Sequence, residues 1–382
     1  MKKLITLDKI DNSNISLKNK SFLDPEYIYV PVDDNALFED ENAYISINKL
    51  VYNTKKANYY SSISGSINRL VAKKINNKNV NCIQIKNDYK EKKLVKKKKI
   101  LDKNKEDLFQ RLNDLDLCGL KNKISKDTKY IVLNCITDDP YIFNERSYLE
   151  NYADNILETL DYISKILDVK NIIVVVKNVD SNNINSFISI MGSYPNFKLI
   201  LMEDKYLMGQ DYFLLKNLSL DKKNAIILKP SEIYSLYHAI FFDNRLVTKI
   251  ITISGNALKN NFIVNTKLYV SVDEILNKFN IKLNDNMILI KNGVMNGLTI
   301  NLNDELIDNN TEALIIMYKS QRPTTDCINC GKCYEMCPIK INPRVSLDNK
   351  IKNKNCISCG ICNYVCPANI NLLKYLKGDC ND

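Results

Sequence analysis

One cysteine motif occurs twice near the end of the chain, as CINCGKCYEMCP at residues 327–338 and as CISCGICNYVCP at residues 356–367. Each copy has the spacing C-x2-C-x2-C-x3-C-P. Three thiolates on a tight loop can reach three irons of one cubane, while the fourth, on the segment that leads away, usually ligates the cluster of the other copy. The pattern therefore predicts a C-terminal domain with two 4Fe-4S clusters and crossed ligands.

The crossed arrangement divides the eight motif cysteines into two sets. We expect Cys327, Cys330, Cys333 and Cys366 to bind the first cluster, and Cys356, Cys359, Cys362 and Cys337 to bind the second. Gly331 and Gly360 follow the second cysteine of each motif and keep the loop backbone close to inorganic sulfide. Structural zinc is the alternative, but zinc sites prefer two cysteine pairs separated by a longer spacer.

Composition is typical of a globular protein with several domains. The chain has 382 residues, of which 45% are hydrophobic and 9% aromatic, enough for buried cores. Twelve cysteines that must stay reduced predict a cytoplasmic location. The longest purely aliphatic run, residues 172–176, is too short to cross a bilayer, so we expect no transmembrane segment.

Charge is concentrated in the lysine-rich stretch YKEKKLVKKKKILDKNK at residues 89–105. The formal net charge is +10, and two clusters of about −2 each would lower it to about +6. A solvated linker is one interpretation of this stretch. Docking to an acidic partner or to anionic lipid is the other, which would place the chain at the inner face of the membrane. Nucleic acid is not expected as a partner, because no interleaved aromatics or recognition motif accompany the lysines.

Hydrophobic periodicity predicts a β-rich region followed by an α/β region. Short alternating runs such as AYISINKLVY predict a small all-β domain before the lysines. Two strands at residues 130–134 and 171–176 flank a helical pattern of about six turns at 149–167, so they should be parallel. Further alternation to residue 242 predicts a doubly wound α/β domain, which binds ligands at the carboxyl ends of its strands.

A second β-rich region follows the α/β region. Strands are predicted at residues 249–257 and 267–272, before a short helix over VDEILNKFN and the strands of MILIKNGVMNGLTI. This order predicts a compact α+β unit.

Several stretches resemble RnfC, the peripheral subunit of the Rnf electron-transport complex. They are the two cysteine motifs with the NINLLKYLK that follows, SISGSINRLV, IITISGNA, YLMGQDYFLL and NGVMNG. The resemblance implies an N-terminal barrel-sandwich hybrid at residues 1–90, a lysine-rich linker at 91–110 and a Rossmann-like flavin/NADH-type domain at 111–245. It also implies an SLBB-type β-grasp domain at 246–320 and a helical dicluster ferredoxin domain at 321–382.

The flavin and NADH site that this resemblance implies is degenerate. RnfC-type proteins have the loop G-L-G-G-A-G-F-P-T, whereas this chain has CGLKNKISK, in which Gly119 matches but Lys121, Asn122 and Lys123 replace small residues. A second segment, N-G-A-E-C-E-P-Y, corresponds to NCITDDPY, which keeps Asn134 and places Asp139 at the last glutamate. Side chains in the loop would occupy the space of the ligand, so we expect no stoichiometric FMN and no reduction by NADH.

The sequence favours an electron-transfer protein that passes single electrons through two clusters between redox partners, such as a ferredoxin, a flavoprotein or membrane Rnf-type subunits. It would work as a subunit of an oxidoreductase complex. One alternative is a flavin-containing NADH dehydrogenase subunit, and another is a docking scaffold.

Two other features of the sequence have a structural and a chemical interpretation. Cys118 and Cys135 are either buried small hydrophobes or a redox dithiol. His238, the single histidine, is interpreted as a packed core residue.

Overall fold

The computed structural model describes residues 5–7, 15–33, 42–53, 58–91, 104–123, 128–178 and 184–377. The lysines at 92–99 and Cys380 therefore lie outside the described residues, as does the side chain of Cys118. In the described residues the strands form four sheets, and no helix is both long enough and apolar enough to cross a membrane.

Strands and helices follow in the order that hydrophobic periodicity and turn residues impose. The strands are β1 (Ile15–Phe22), β2 (Tyr27–Val32), β3 (Tyr44–Ile45), β4 (Leu50–Asn53), β5 (Asn58–Tyr60), β6 (Gly65–Ile75), β7 (Lys78–Asn87), β8 (Tyr130–Asn134), β9 (Asn171–Lys177), β10 (Phe197–Met202), β11 (Ala225–Leu228), β12 (Thr248–Ser254), β13 (Asn261–Lys267), β14 (Met287–Lys291), β15 (Leu298–Ile300) and β16 (Ala313–Tyr318). The helices are α1 (Lys105–Asp114), α2 (Cys118–Lys121), α3 (Asn144–Asn151), α4 (Ala153–Leu167), α5 (Asn185–Met191), α6 (Asp211–Leu218), α7 (Pro230–Phe242), α8 (Val272–Lys278), α9 (Lys332–Glu335), α10 (Pro343–Asn349), α11 (Ile361–Tyr364) and α12 (Leu372–Lys377).

A parallel sheet lies at the centre of the α/β region. Its strand order is β10-β9-β8-β11, and every neighbouring pair is parallel, which confirms the predicted parallel pairing of β8 and β9. Side chains alternate between its faces, so Ile131 and Leu133 pack with α4 and α7, whereas Val132 packs with α6. The strand order reverses between β8 and β11, which opens a crevice at their carboxyl ends.

The helix predicted over residues 149–167 is two helices. The backbone of Tyr152 leaves the helical conformation (φ −136°, ψ 31°), so α3 ends before it and α4 begins after it. The Tyr152 ring packs against Tyr234 of α7, with ring centroids 4.2 Å apart. Helix α4 then buries the apolar face that the periodicity predicted, with Ile156, Leu160 and Ile163 in the core.

Two β sheets share one hydrophobic core. A six-stranded sheet has the order β1-β13-β12-β16-β14-β15, and a four-stranded sheet has the order β2-β7-β6-β3. Residues from both, such as Ile85 of β7 and Val264 of β13, belong to the same buried cluster. The strand predicted at residues 267–272 is wrong, because β13 ends at Lys267, Tyr269 takes a left-handed conformation (φ 65°), and α8 begins at Val272.

The segment after β16 folds as four short helices around the cysteine motifs. Its small core contains Cys362, Ala368, Leu372 and Leu376, with parts of Cys333 and Cys366 packed against them. So few buried residues form a marginal core without added covalent or metal links.

Helix α1 begins inside the segment that the sequence assigned to the linker. Asn104 caps it by accepting a hydrogen bond from the backbone N–H of Asp107 at 2.7 Å. The chain is therefore helical from Lys105 onward, and its Leu108 and Leu112 are buried in the core of the α/β region.

Candidate metal centres

The two cysteine loops have the same backbone conformation. Left-handed residues precede and follow the second cysteine in each copy and recur three residues after the fourth cysteine. Their φ values lie between 53° and 77° at Asn329, Gly331 and Lys340 in the first loop and at Ser358, Gly360 and Asn369 in the second. A one-turn helix, α9 or α11, follows each glycine. The repeated spacing is therefore a repeated backbone conformation.

The cysteines line two separate cavities in the crossed combination. Three cysteines of the first motif and the last cysteine of the second, Cys327, Cys330, Cys333 and Cys366, line one cavity. The remaining four, Cys337, Cys356, Cys359 and Cys362, line the other. Four thiols around a cavity suit a cubane, whose irons each take one thiolate. Across the described part of the chain, no three His, Cys, Asp or Glu side chains are grouped as a single metal ion would require.

The two cysteine sets differ in their exposure to solvent. Cys327 and Cys330 of the first set are exposed. Cys337, Cys359 and Cys362 of the second set are buried. A cluster on the first set would lie at the protein surface, and one on the second would lie in the interior.

Burial also affects the chemistry of these thiols. It raises the pKa of Cys359 to about 11 and that of Cys362 to about 12. Without a cluster these two thiols are therefore protonated at neutral pH. Binding of iron must displace their protons, which makes cluster assembly a proton-releasing reaction.

The second cysteine loop packs directly on the body of the protein. The Tyr206 hydroxyl donates a hydrogen bond to the backbone carbonyl of Cys359 at 2.5 Å. Gly360 lies so close to the segment at 292–297 that an added Cβ would be 1.7 Å from the carbonyl oxygen of Met295. Tyr206, Met295 and Cys359 share one buried apolar cluster with Leu207 and Phe213.

Two adjacent carboxylates hold the segments that contact this loop. Asp138 accepts a hydrogen bond from the backbone N–H of Gly209 at 2.9 Å. Asp139 accepts hydrogen bonds from the backbone N–H groups of Val294 at 2.7 Å and Met295 at 3.4 Å. Desolvation raises the pKa of Asp138 to about 6, against the lowering effect of the Gly209 hydrogen bond and of Lys177. This carboxylate pair connects the end of β8 to the surroundings of Cys359.

A large open cleft lies beside these carboxylates, at the carboxyl ends of β8 and β11. Its volume is about 1500 Å³. Its lining includes Lys123, Asp139, Glu145, Lys229 and Glu312. It occupies the position where α/β sheets of this topology bind ligands.

The polar groups of the cleft are already paired with one another. Lys123 forms an ion pair with Glu232 at 2.6 Å, and Lys229 forms one with Glu312 at 2.9 Å. At the start of α7, the backbone N–H of Ser231 donates to buried Glu145 at 2.9 Å. A helix start of this kind is a favourable phosphate site when its amides are open. Here carboxylates occupy the amides.

The three residues predicted for the flavin and NADH site do not converge in this cleft. Asn134 donates to the carbonyl of Gly209 at 2.7 Å and accepts from the backbone N–H of Ile136. Asp139 lines the cleft but its oxygens bind backbone amides. Gly119 is exposed, and a Cβ built on it would have no atom within 4 Å. Lys123, from the loop that departs from the family pattern, extends into the cleft.

Some residues that shape the site escaped the sequence analysis. Asp138, Glu145, Tyr206 and Met295 contact groups distant in the chain, so no local spacing identifies them. YLMGQDYFLL and NGVMNG, quoted above for family resemblance, turn out to contain Tyr206 and Met295.

Cys135 and His238 lie apart from the cysteine motifs in sequence and in packing. Cys135 is buried, which raises the pKa of its thiol well above the ordinary value. His238 contacts the rings of Tyr234, Tyr237 and Phe242 on α7. The chemical interpretation of Cys118 with Cys135 stays a hypothesis.

Two family models match the chain in the regions just described. A model described as Nuo51 FMN-binding domain matches residues 117–230, and one described as 4Fe-4S dicluster domain matches residues 311–370. These matches define the class: an iron-sulfur protein in which a dicluster domain follows a domain similar to the flavin-binding domain of NADH dehydrogenases.

Curated relatives narrow this class, and each is the C subunit of an ion-translocating oxidoreductase complex. The Pasteurella multocida protein is 20% identical over 267 residues, covering 64% of this chain and 32% of the relative. The Vibrio cholerae protein is 23% identical over 233 residues, covering 57% and 30%. The Rhodobacter capsulatus protein is 20% identical over 234 residues, covering 57% and 44%. The chain is thus similar to RnfC, as the sequence predicted, but spans less than half the length of these relatives.

A solved structure shows a weaker likeness. A chain of the NAD+-reducing NiFe hydrogenase in its H2-reduced state superimposes with a TM-score of 0.49 at 9% identity, covering 72% of this chain and 59% of that chain.

Proposed function

We propose that this chain is an iron-sulfur electron-transfer subunit of an Rnf-type oxidoreductase complex. The carrying observation is the pair of cavities, each lined by three cysteines of one motif and the last cysteine of the other. We assign Cys327, Cys330, Cys333 and Cys366 to one 4Fe-4S cluster, and Cys337, Cys356, Cys359 and Cys362 to the second. Such clusters supply reversible one-electron chemistry at potentials that burial and hydrogen bonding adjust.

The protein residues divide the labour between the two sets. The segments around Tyr206 and Met295 cover the second set and exclude water from it, whereas the first set faces solvent. Electrons can therefore be exchanged with an external partner at the first set and with the body of the complex through the second. The chain itself transforms no substrate in this proposal.

We further propose that the cleft does not hold flavin in stoichiometric amounts. The amide donors at the start of α7 are bound by Glu145 and Glu232, and Lys123 is paired inside the cleft. A flavin phosphate would have to displace these carboxylates, which repel it. The second candidate function, a flavin-containing NADH dehydrogenase subunit, draws support from the FMN-binding-domain match over residues 117–230. A docking scaffold is the third candidate.

The finer fold assignment belongs to the same proposal. We assign a barrel-sandwich hybrid to residues 1–90, a doubly wound flavin/NADH-type domain to 111–245, an SLBB-type β-grasp domain to 246–320 and a dicluster ferredoxin domain to 321–382. Strand β1 pairs with β13 across these boundaries, and a shared core joins the first unit to the third. These β units would therefore unfold together.

The partners in this proposal are redox proteins such as a ferredoxin, a flavoprotein or membrane Rnf-type subunits. We place the chain in the cytoplasm, with peripheral association at the inner face of the membrane through other subunits. Iron and acid-labile sulfide in the anaerobically purified chain test the proposal. We expect about eight of each per molecule and a cluster spectrum that dithionite bleaches. Stoichiometric zinc without sulfide would exclude it.

A further inference from the structure

The two cysteine loops share a conformation but differ in what covers them. Ile357 of the second loop packs against the body beside Tyr206 and Met295. Its counterpart in the first loop, Ile328, is 64% exposed. In the same way, Gly360 contacts Met295 while Gly331 has no atom within 4 Å of a Cβ built on it. The first loop therefore presents to solvent the surface that the second loop buries against protein.

Further apolar side chains extend this exposed surface. Tyr334 on α9 is 47% exposed and Val345 on α10 is 52% exposed. Ile328 and Tyr334 line the same cavity as the first cysteine set, together with Arg344. Exposed apolar side chains gathered at one functional site are typical of a protein interaction surface.

The charge of this region indicates the kind of partner. Residues 327–354 contain six cationic side chains, Lys332, Lys340, Arg344, Lys350, Lys352 and Lys354, against two acidic ones, Glu335 and Asp348. All eight are exposed. This stretch carries a net +4 of the formal +10 of the chain. A cationic rim around an apolar centre is complementary to an acidic protein surface.

We propose that Ile328, Lys332, Tyr334, Arg344 and Val345, here called the exposed cluster face, bind an acidic protein that carries single electrons. The inference rests on the proposed function and names the partner of its solvent-facing cluster. In the exchange, the carrier gains one electron as the cluster held by the first cysteine set loses one. No bond forms or breaks, and no proton needs to move.

The test compares matched charge variants of the reconstituted full chain. Lys332→Gln with Arg344→Gln removes two charges from the exposed cluster face. Lys198→Gln with Lys222→Gln removes two exposed charges at the amino ends of β10 and β11, the opposite edge of the parallel sheet from the cleft. Stopped-flow spectroscopy then measures the second-order rate of electron transfer from the reduced chain to an acidic 2[4Fe-4S] ferredoxin and, separately, to methyl viologen.

We expect the first pair of substitutions to lower the ferredoxin rate roughly fivefold at low salt and to weaken its salt dependence. Val345→Ser should lower the rate at all salt concentrations, because it removes apolar contact and no charge. The control pair and the viologen rates should match the unsubstituted chain. Equal losses in both pairs, or no loss in the first, would overturn the inference.

Other outcomes separate this inference from the proposed function. Failure to assemble clusters, or to transfer electrons even to viologen, would refute the function itself. Loss of binding to vesicles containing anionic phosphatidylserine in the first variant, with ferredoxin rates intact, would assign the exposed cluster face to a membrane and refute the protein partner.

Discussion

Cys366 belongs to the second motif but lines the cavity of the first, and Cys337 does the reverse. Replacing Cys366 by Ser should therefore alter the EPR signal of the first, surface cluster, because one iron loses its thiolate. Cys337→Ser should alter the signal of the buried cluster instead. The two variants serve as each other's control, and a change confined to the cluster of the substituted motif would contradict the crossed assignment.

Asp138 gives the residue scale a dependence on pH. Desolvation raises the pKa of its carboxyl group to about 6, so the folded protein retains this proton where the unfolded chain has lost it. The stabilising contribution of this group is complete below the unfolded pKa and is lost as pH rises through about 6. Asp138→Asn should keep an acceptor for Gly209 without burying a charge.

The variant should therefore gain stability relative to the unsubstituted chain as pH rises, by up to about 3 kcal/mol. Urea unfolding at about pH 5 and about pH 7.5 measures this difference. Asp221→Asn, at an exposed turn, is the control. A stability difference that does not change with pH would contradict the assigned pKa.

These residues also mark how far local sequence could lead. The spacing of the cysteines predicted both cavity linings, because the loop conformation is encoded within twelve residues. Asp138 and Tyr206 could not be predicted in the same way. Their partners, Gly209 and Cys359, lie 71 and 153 residues away along the chain.

At the scale of elements, the two loop glycines form a matched pair. Gly331 and Gly360 have φ values of 73° and 77°, so alanine strains both loops by about 1 kcal/mol. Only at Gly360 would the new methyl group also collide with the carbonyl of Met295. Gly360→Ala should displace the second loop from the body and lower iron content, whereas Gly331→Ala should retain both clusters. Iron analysis with EPR measures this, and equal loss in both variants would contradict the packing.

Element boundaries were predictable where periodicity alone sets them. Strands β8, β9 and β10 agree with the sequence prediction to within a residue, since each is a continuous buried run. The break at Tyr152 and the strand end before Tyr269 were missed. Both depend on where an aromatic ring packs, against Tyr234 and Tyr59 respectively, and neither position has a glycine or proline to signal it.

At the scale of the whole molecule, the functional parts are arranged in sequence from interior to surface. The cleft at the end of β8 connects through Asp138 and Asp139 to the segments that cover Cys359. The buried cysteine set follows, and the exposed set lies beyond it. This arrangement would suit electron transfer from a flavin in the cleft, so the state of the cleft decides between the two leading functions.

The charges of the cleft argue against that flavin. A phosphate needs open amides or unpaired cations, yet Glu145 binds the amide of Ser231, and Lys123 is paired with Glu232. We therefore expect the purified chain to contain far less than one FMN per molecule. NADH should leave its clusters oxidised, while dithionite or a reduced ferredoxin should reduce them.

Two variants sharpen this last test. Lys123→Gly removes the side chain that extends into the cleft, and Glu145→Gln removes a buried charge that would repel phosphate. If these side chains are what exclude flavin, the double variant should bind added FMN more tightly than the unsubstituted chain, as fluorescence quenching would report. Lys222→Gln, outside the cleft, should leave FMN binding unchanged. One mole of FMN per mole of unsubstituted chain, with clusters that NADH bleaches, would establish the dehydrogenase function instead, because electrons would then enter through the cleft rather than from a protein carrier.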